Sequence, residues 1–222
     1  MKSTHKSFPR IAWSVALIVL LLLLAFKAGK EGLSNFYAQT AQLEVERWSQ
    51  PGERFTGDET ARVMRYLAQS LDYSPDNPWP LEVRGTMQFR AMSAATDPQP
   101  AVAAARNANA DFRLALAQRP TSPFSWANFA LSKLYLDEKD EALFRALGRA
   151  ETLGPWEPEV QQTVVFAGLA AWNRLNAAQR ATVLRAMQRG AQRDPGKFAE
   201  IAKSFNRVDL FCGLSYSVSA RV

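Results

Sequence analysis

The sequence predicts an all-α protein: one N-terminal transmembrane helix, then a stack of antiparallel helix hairpins. Three observations carry this. Residues Ile11–Phe26 form an apolar run between basic flanks. Downstream, apolar residues recur at helical spacing in segments that end on Pro75, Pro120, Pro155 and Pro195. No sustained strand alternation occurs outside the tail from Val208 to Val222. The predicted organisation is a cytoplasmic basic tail (1–10), an anchor (11–29), a helical stalk and linker (30–55), a helical domain (56–207) and a C-terminal tail (208–222).

Ile11–Phe26 contains one polar residue, Ser14. At 1.5 Å per residue it spans roughly 24 Å, and snorkelling Arg10, Lys27 and Lys30 extend it towards the ~30 Å hydrocarbon core. A cleaved signal peptide is the rival reading, but the run ends in Phe26-Lys27 without a small-residue cleavage pair. A buried core helix fits poorly with five consecutive leucines between basic residues. Lys2, Lys6 and Arg10 favour a cytoplasmic N-terminus, which places the body across the membrane, in the periplasm of a Gram-negative cell.

Gly32–Gln50 continues as a helix, with Phe36, Leu43 and Trp48 loosely periodic; Phe36 and Trp48 belong either at the membrane interface or in the core, the core being favoured, and Pro51-Gly52 ends the helix. Thr56-Gly57-Asp58-Glu59 is a capping box for a helix to about Asp72, with Val63, Leu67 and Leu71 on one stripe. Ser74-Pro75-Asp76-Asn77-Pro78 stops it. Helices follow over Pro80–Ala94, with Leu81, Met87 and Phe89 inward, and over Ala-rich Ala101–Gln118. Ser125–Asp137 and Asp140–Leu153 make a hairpin around the charged corner Asp137-Glu138-Lys139-Asp140, with Asp140 as N-cap. Glu157–Leu175 carries Val160, Val164, Leu169 and Trp172 as its apolar set. Asn176 caps Ala177–Arg193, and Pro195 opens a last helix to about Asn206. Val208–Val222 has no assigned element: Asp209-Leu210-Phe211-Cys212 is expected to pack on the last hairpin, and the final residues to form a loose tail.

Proline terminates the second helix of each pair, and Pro-aromatic steps open the first: Pro78-Trp79, Pro123-Phe124, Pro155-Trp156. Proline suits a first helical turn because its missing N–H has no partner there. The terminating prolines lie 45, 35 and 40 residues apart, not at the constant ~34 of a regular tetratricopeptide array. Even so, the residues resemble that family. Ala108, Phe112, Ala115 and Pro120 match its second-helix pattern. Trp126, Ala130, Ala142 and Ala146 follow its spacing, while its tyrosine position falls on Lys133 and its closing proline slips one place to Pro155. An unrelated helical bundle is the alternative.

Three junctions, Asn77-Pro-Trp-Pro-Leu-Glu82, Arg119-Pro-Thr-Ser-Pro-Phe-Ser-Trp126 and Leu153-Gly-Pro-Trp-Glu-Pro-Glu-Val-Gln161, fall in order behind a single anchor. In this the chain resembles the VpsP-type polysaccharide biosynthesis proteins. The resemblance implies a helper in making or exporting an extracellular polysaccharide and implies no catalytic residue.

Composition removes several chemistries. Cys212 is the only cysteine and His5 the only histidine, so an internal disulfide, cysteine zinc sites and histidine-based triads in the body are excluded. The net charge is +6, but five of the 27 basic residues precede residue 31 with no acid among them. The remainder balances 22 basic against 21 acidic residues, which removes the main support for nucleic-acid binding. No phosphate loop or dinucleotide fingerprint is present; no cofactor and no metal site is expected.

Two groups are candidate sites. Trp79, Trp126 and Trp156 recur at hairpin starts, where they either wedge hairpins apart or line one groove and stack on sugar rings. Arg185, Arg189 and Arg193 lie at i, i+4 and i+8 on one helix face, with Val183, Met187 and Ala191 facing away. They form either a solvated face or a patch for an anionic glycan, a lipid phosphate or an acidic partner. The acidic corner at 137–141 lacks the glycine and ligand spacing of a calcium loop. The expected function is a non-enzymatic, membrane-anchored adaptor of exopolysaccharide biosynthesis or export. Its partners would be the inner membrane through 11–29, other envelope or export proteins, and polysaccharide itself. The alternatives are an envelope-assembly module unrelated to polysaccharide and a glycan-active enzyme using paired carboxylates.

Overall fold

A computed structural model describes residues 8–48, 56–94 and 97–219. The chain divides into two compact units, Met1–Pro80 and Leu81–Val222. Among the described residues there are ten α-helices, one 3-10 turn and no strand. The first seven residues, and the expected stop at Pro51-Gly52, lie outside the described residues.

In the first unit, helix α1 (Phe8–Arg47) runs unbroken for 40 residues. The expected anchor and stalk are therefore one element: the two glycines between them, Gly29 and Gly32, lower helix propensity without breaking it. The helix is long and apolar enough to cross a membrane, and its side chains are exposed from Ile11 to Gly29. Further on, Ser34, Ala38, Ala41 and Trp48 are buried along one seam against α2 (Gly57–Tyr73). The small residues allow close approach. Ser70 Oγ donates to the Ser34 carbonyl at 2.9 Å, and Val63, Leu67 and Leu71 of α2 fill the interface. Arg62 holds Glu44 through two bonds of 2.8 and 2.9 Å, and Tyr37 stacks on Tyr73 with ring centroids 5.9 Å apart. Thr56 and Glu59 form the expected capping box. Trp48 is in the core as expected, but Phe36 is 62% exposed. Position 36 falls two residues past the Ser34 seam, which turns it about 200° away from α2.

Helix α3 (Pro78–Ala94) begins at the boundary between the units. In the second unit it meets α4 (Pro98–Gln118) through Phe89 and Phe112, whose ring centroids are 5.5 Å apart, and through Arg84, which donates to buried Asp111 at 2.9 and 2.6 Å. Then follow α5 (Pro123–Tyr135), α6 (Glu141–Leu153), α7 (Pro158–Ala170), α8 (Ala177–Arg193), α9 (Pro195–Ser204) and α10 (Val208–Ser219). Helices α4 to α10 each touch the next in sequence, and from α5 onwards also the next but one: α5 with α7, α6 with α8, α7 with α9, α8 with α10. The core is continuous from Ala127 to Ala202, with Leu143, Val164, Val183, Met187 and Phe198 almost wholly buried.

Local chemistry explains the boundaries. Ser122, Asp140, Asn176 and Asp194 accept N-cap hydrogen bonds, and Asn176 forms a capping box with Gln179. Two helices end alike. The Glu138 N–H donates to the Lys133 carbonyl at 2.9 Å and the Arg207 N–H to the Ala202 carbonyl at 2.8 Å. In each turn the preceding residue, Asp137 or Asn206, is left-handed, at φ 57° and 53°. These bonds, closing six residues, are a Schellman stop made with Asp and Asn in place of glycine.

Two expectations change here. The helix predicted over Glu157–Leu175 ends at Ala170, and Trp172–Arg174 tightens into a 3-10 turn. Val208–Ser219, to which the sequence assigns no element, is a helix, and its first turn packs on the preceding helices as expected. Leu210 and Phe211 pack against the core, giving an otherwise short segment its tertiary support.

Candidate functional site

The second unit brings Trp156 and the arginine row to one corner. Helix α6 stops at Leu153, and Gly154 follows with its N–H on the Ala150 carbonyl at 2.9 Å. A Cβ at Gly154 would lie 2.6 Å from Pro123 Cβ, so only glycine lets the chain leave the helix here. The turn that carries Trp156 is pinned from beneath: the side-chain amide of buried Gln161 donates to the Pro155 carbonyl at 2.6 Å. Trp156 itself is 66% exposed.

Glu151, one turn back on α6, organises the corner. It is 5% exposed, yet it sits where the α6 core stripe meets α8. Arg185 donates to both its oxygens, at 3.3 and 3.2 Å, and Arg189 Nη1 donates to Oε1 at 2.5 Å. The Arg189 guanidinium lies over the Trp156 ring, 5.4 Å from its centroid, a cation–π geometry. One carboxylate thus positions two cations, and the second of these positions the indole. Arg193, a turn further on, is exposed. Trp156, Gln161, Arg189, Gln192 and Arg193 line a groove of about 240 Å³. Chemically it offers an aromatic face, two amide side chains and two guanidinium groups.

The other tryptophans are placed differently. Trp79 belongs to the first unit and is half-buried; its backbone N–H donates to Asn77 Oδ1 at 3.2 Å. Trp126 is half-buried on α5. Its indole N–H donates to the Pro120 carbonyl at 2.9 Å, and the Arg149 guanidinium lies 5.8 Å from its ring.

The acidic corner is built around Lys133, a buried cation on α5 bound to Glu138 at 2.6 Å and Asp140 at 3.0 Å. Burial pulls its pKa down, but the two carboxylates more than offset that, and the ammonium is held above its ordinary range. Asp140 is held below the usual aspartate value: burial pushes it up, and the Leu143 amide, Lys133 and the Ala142 amide outweigh that. Beside this corner Asp137, Lys139, Trp172, Asn173, Arg174 and Arg207 border a polar cavity of about 510 Å³. Lys139 donates to Asp137 at 2.7 Å and Arg207 to Asn173 at 3.0 Å. Among the described residues no group of three His, Cys, Asp or Glu side chains could hold a metal ion.

Sequence reasoning missed Glu151, Gln161 and Gln192. The available signal was Glu151 itself, an acid four residues after Leu147 on an otherwise apolar stripe. Comparison with protein-family models and with curated proteins finds no match.

Proposed function

We propose that the chain is a membrane-anchored, non-enzymatic adaptor of bacterial exopolysaccharide biosynthesis or export. It resides in the inner membrane with its N-terminus in the cytoplasm and its helical body in the periplasm, arranged as a tetratricopeptide-like stack. The observation that carries this reading is α1, whose apolar half continues without a break into a helix packed by α2. Such a helix fixes a folded body close to a bilayer. The next-but-one contacts from α5 to α10 are those that stacked hairpins make, and stacked hairpins usually act by binding other proteins.

The test is crosslinking of the full-length chain in native membranes, followed by purification and identification of what is attached. Polymer output is measured in parallel in a strain lacking the gene. Capture of glycosyltransferases or export components, with reduced polymer on deletion, is the expected result. Normal polymer output on deletion overturns the polysaccharide reading. A C-terminal reporter active in the cytoplasm overturns the topology.

A further inference from the structure

We propose that the groove lined by Trp156, Gln161, Arg189, Gln192 and Arg193 binds a carboxylate-bearing sugar unit of an acidic polysaccharide. The inference deepens the reading above and takes its biological setting from it, but its chemistry comes from the groove. Trp156 is a large apolar side chain left 66% exposed while its position is fixed on two sides. Gln161 ties down the Pro155 carbonyl below it, and Arg189 lies over the ring, itself held by Glu151. An indole fixed in this way is pre-organised, so stacking on it costs little ordering of the side chain.

Charge sets the sign of the ligand. The groove lining carries two cations, Arg189 and Arg193, and no acid; of these Arg189 is paired with Glu151. Arg193 is exposed and adjoins the groove, where its planar fork suits a carboxylate. An amide selects for hydroxyl groups. Gln161 is buried and spends its N–H on Pro155, so the exposed Gln192 is the amide that offers both donor and acceptor. Sugar hydroxyls need both, and the C–H face of a pyranose supplies the apolar surface that stacks on indole. Size decides between a whole ligand and part of one. At about 240 Å³ the groove is smaller than the ~300–1,000 Å³ of typical small-molecule pockets. It therefore seats one unit of a longer chain.

The test uses full-length protein in detergent micelles and three probes: tetragalacturonate, maltotetraose and hepta-glutamate, each titrated by calorimetry at low and physiological salt. The variants are Trp156→Ala and Arg193→Gln, both at exposed positions outside the core, with far-UV circular dichroism confirming unchanged helix content. Binding of tetragalacturonate that weakens about tenfold in each variant, with no heat from maltotetraose, supports the inference; tenfold corresponds to one lost charge-assisted contact in Arg193→Gln and one lost stacking face in Trp156→Ala. Three outcomes overturn it: hepta-glutamate binding as well as the uronate, which leaves only a charged patch; maltotetraose binding equally, which removes the role of charge; or no binding of any probe. The adaptor reading stands apart from this. If the probes fail but export components are still captured from membranes, only the inference is lost. If uronate binds while deletion leaves polymer output normal, only the adaptor reading is lost.

Discussion

Replacing Glu151 with alanine removes the one carboxylate that holds α6 to the arginine row of α8. A buried ion pair that loses one partner typically costs ~3–5 kcal/mol, because the other charge is stranded. Here the stranded groups are not fully buried: the side chains of Arg185 and Arg189 keep 49% and 30% of their surface in solvent. They can turn to water, so the penalty falls to about 2 kcal/mol. A Glu151→Gln change keeps the shape and one acceptor and should cost about half as much. The assay is urea unfolding of the full chain in micelles, followed by tryptophan emission and circular dichroism. A double-mutant cycle with Arg189→Ala isolates the pair term. The reasoning is refuted if Glu151→Ala shifts stability by less than about 0.5 kcal/mol, or if the cycle shows no coupling. In addition, the emission of Trp156 should change in Glu151→Ala, because Arg189 is no longer held over its ring.

Further outcomes follow from other parts of the second unit. A Cβ at Gly190 would lie 2.0 Å from Phe198 Cζ, so Gly190→Ala should destabilise by about 1–3 kcal/mol in the same urea assay, despite alanine's better helix propensity. Asn206 sits at φ 53°. Asn206→Gly should therefore be neutral or slightly stabilising, and Asn206→Val should cost about 1–2 kcal/mol, read as a lower urea midpoint. The folded-state pKa of Asp140 is depressed, so its contribution is present above the unfolded value of about 3.9 and is lost as pH falls through the lower folded value. Acid titration by circular dichroism should show this loss below about pH 4, and Lys133→Met should flatten it; an unchanged acid limb in that variant would argue against the Lys133–Asp140 pair.

Much of the helix inventory could be read from local chemistry. Thr56, Asp140 and Asn176 announce helix starts because a short polar side chain meets unpaired amides, and prolines mark the rest. The stripes Val63-Leu67-Leu71 and Val160-Val164 identify their own buried faces. What could not be read depends on which surfaces meet. Phe36 and Ser34 are both plausible core positions until α2 is placed, and then the serine is buried and the phenylalanine exposed. Glu151 stands out only as an acid on an apolar stripe, and its partners are not known until α8 lies across it. The left-handed stops at Asp137 and Asn206 have no glycine to advertise them. Helix α10 forms in a segment whose pattern gives no clear period, because Leu210 and Phe211 find a partner surface already built. The tryptophans and the arginine row were visible as types and spacings. That Arg189 lies over Trp156 follows only from how α8 packs on α6 and the turn after it.

The unbroken course of α1 has a mechanical consequence. From Phe26 to Arg47 the helix is a rod of about 30 Å with no joint. On the membrane reading, any tilt of the lipid-embedded half swings the other end through an arc: at the ~20° tilt common for such helices, the far end moves by about 10 Å sideways. Bilayer thickness, or a neighbour leaning on the buried half, would then act as the hand on a lever, with α2 riding on its far arm.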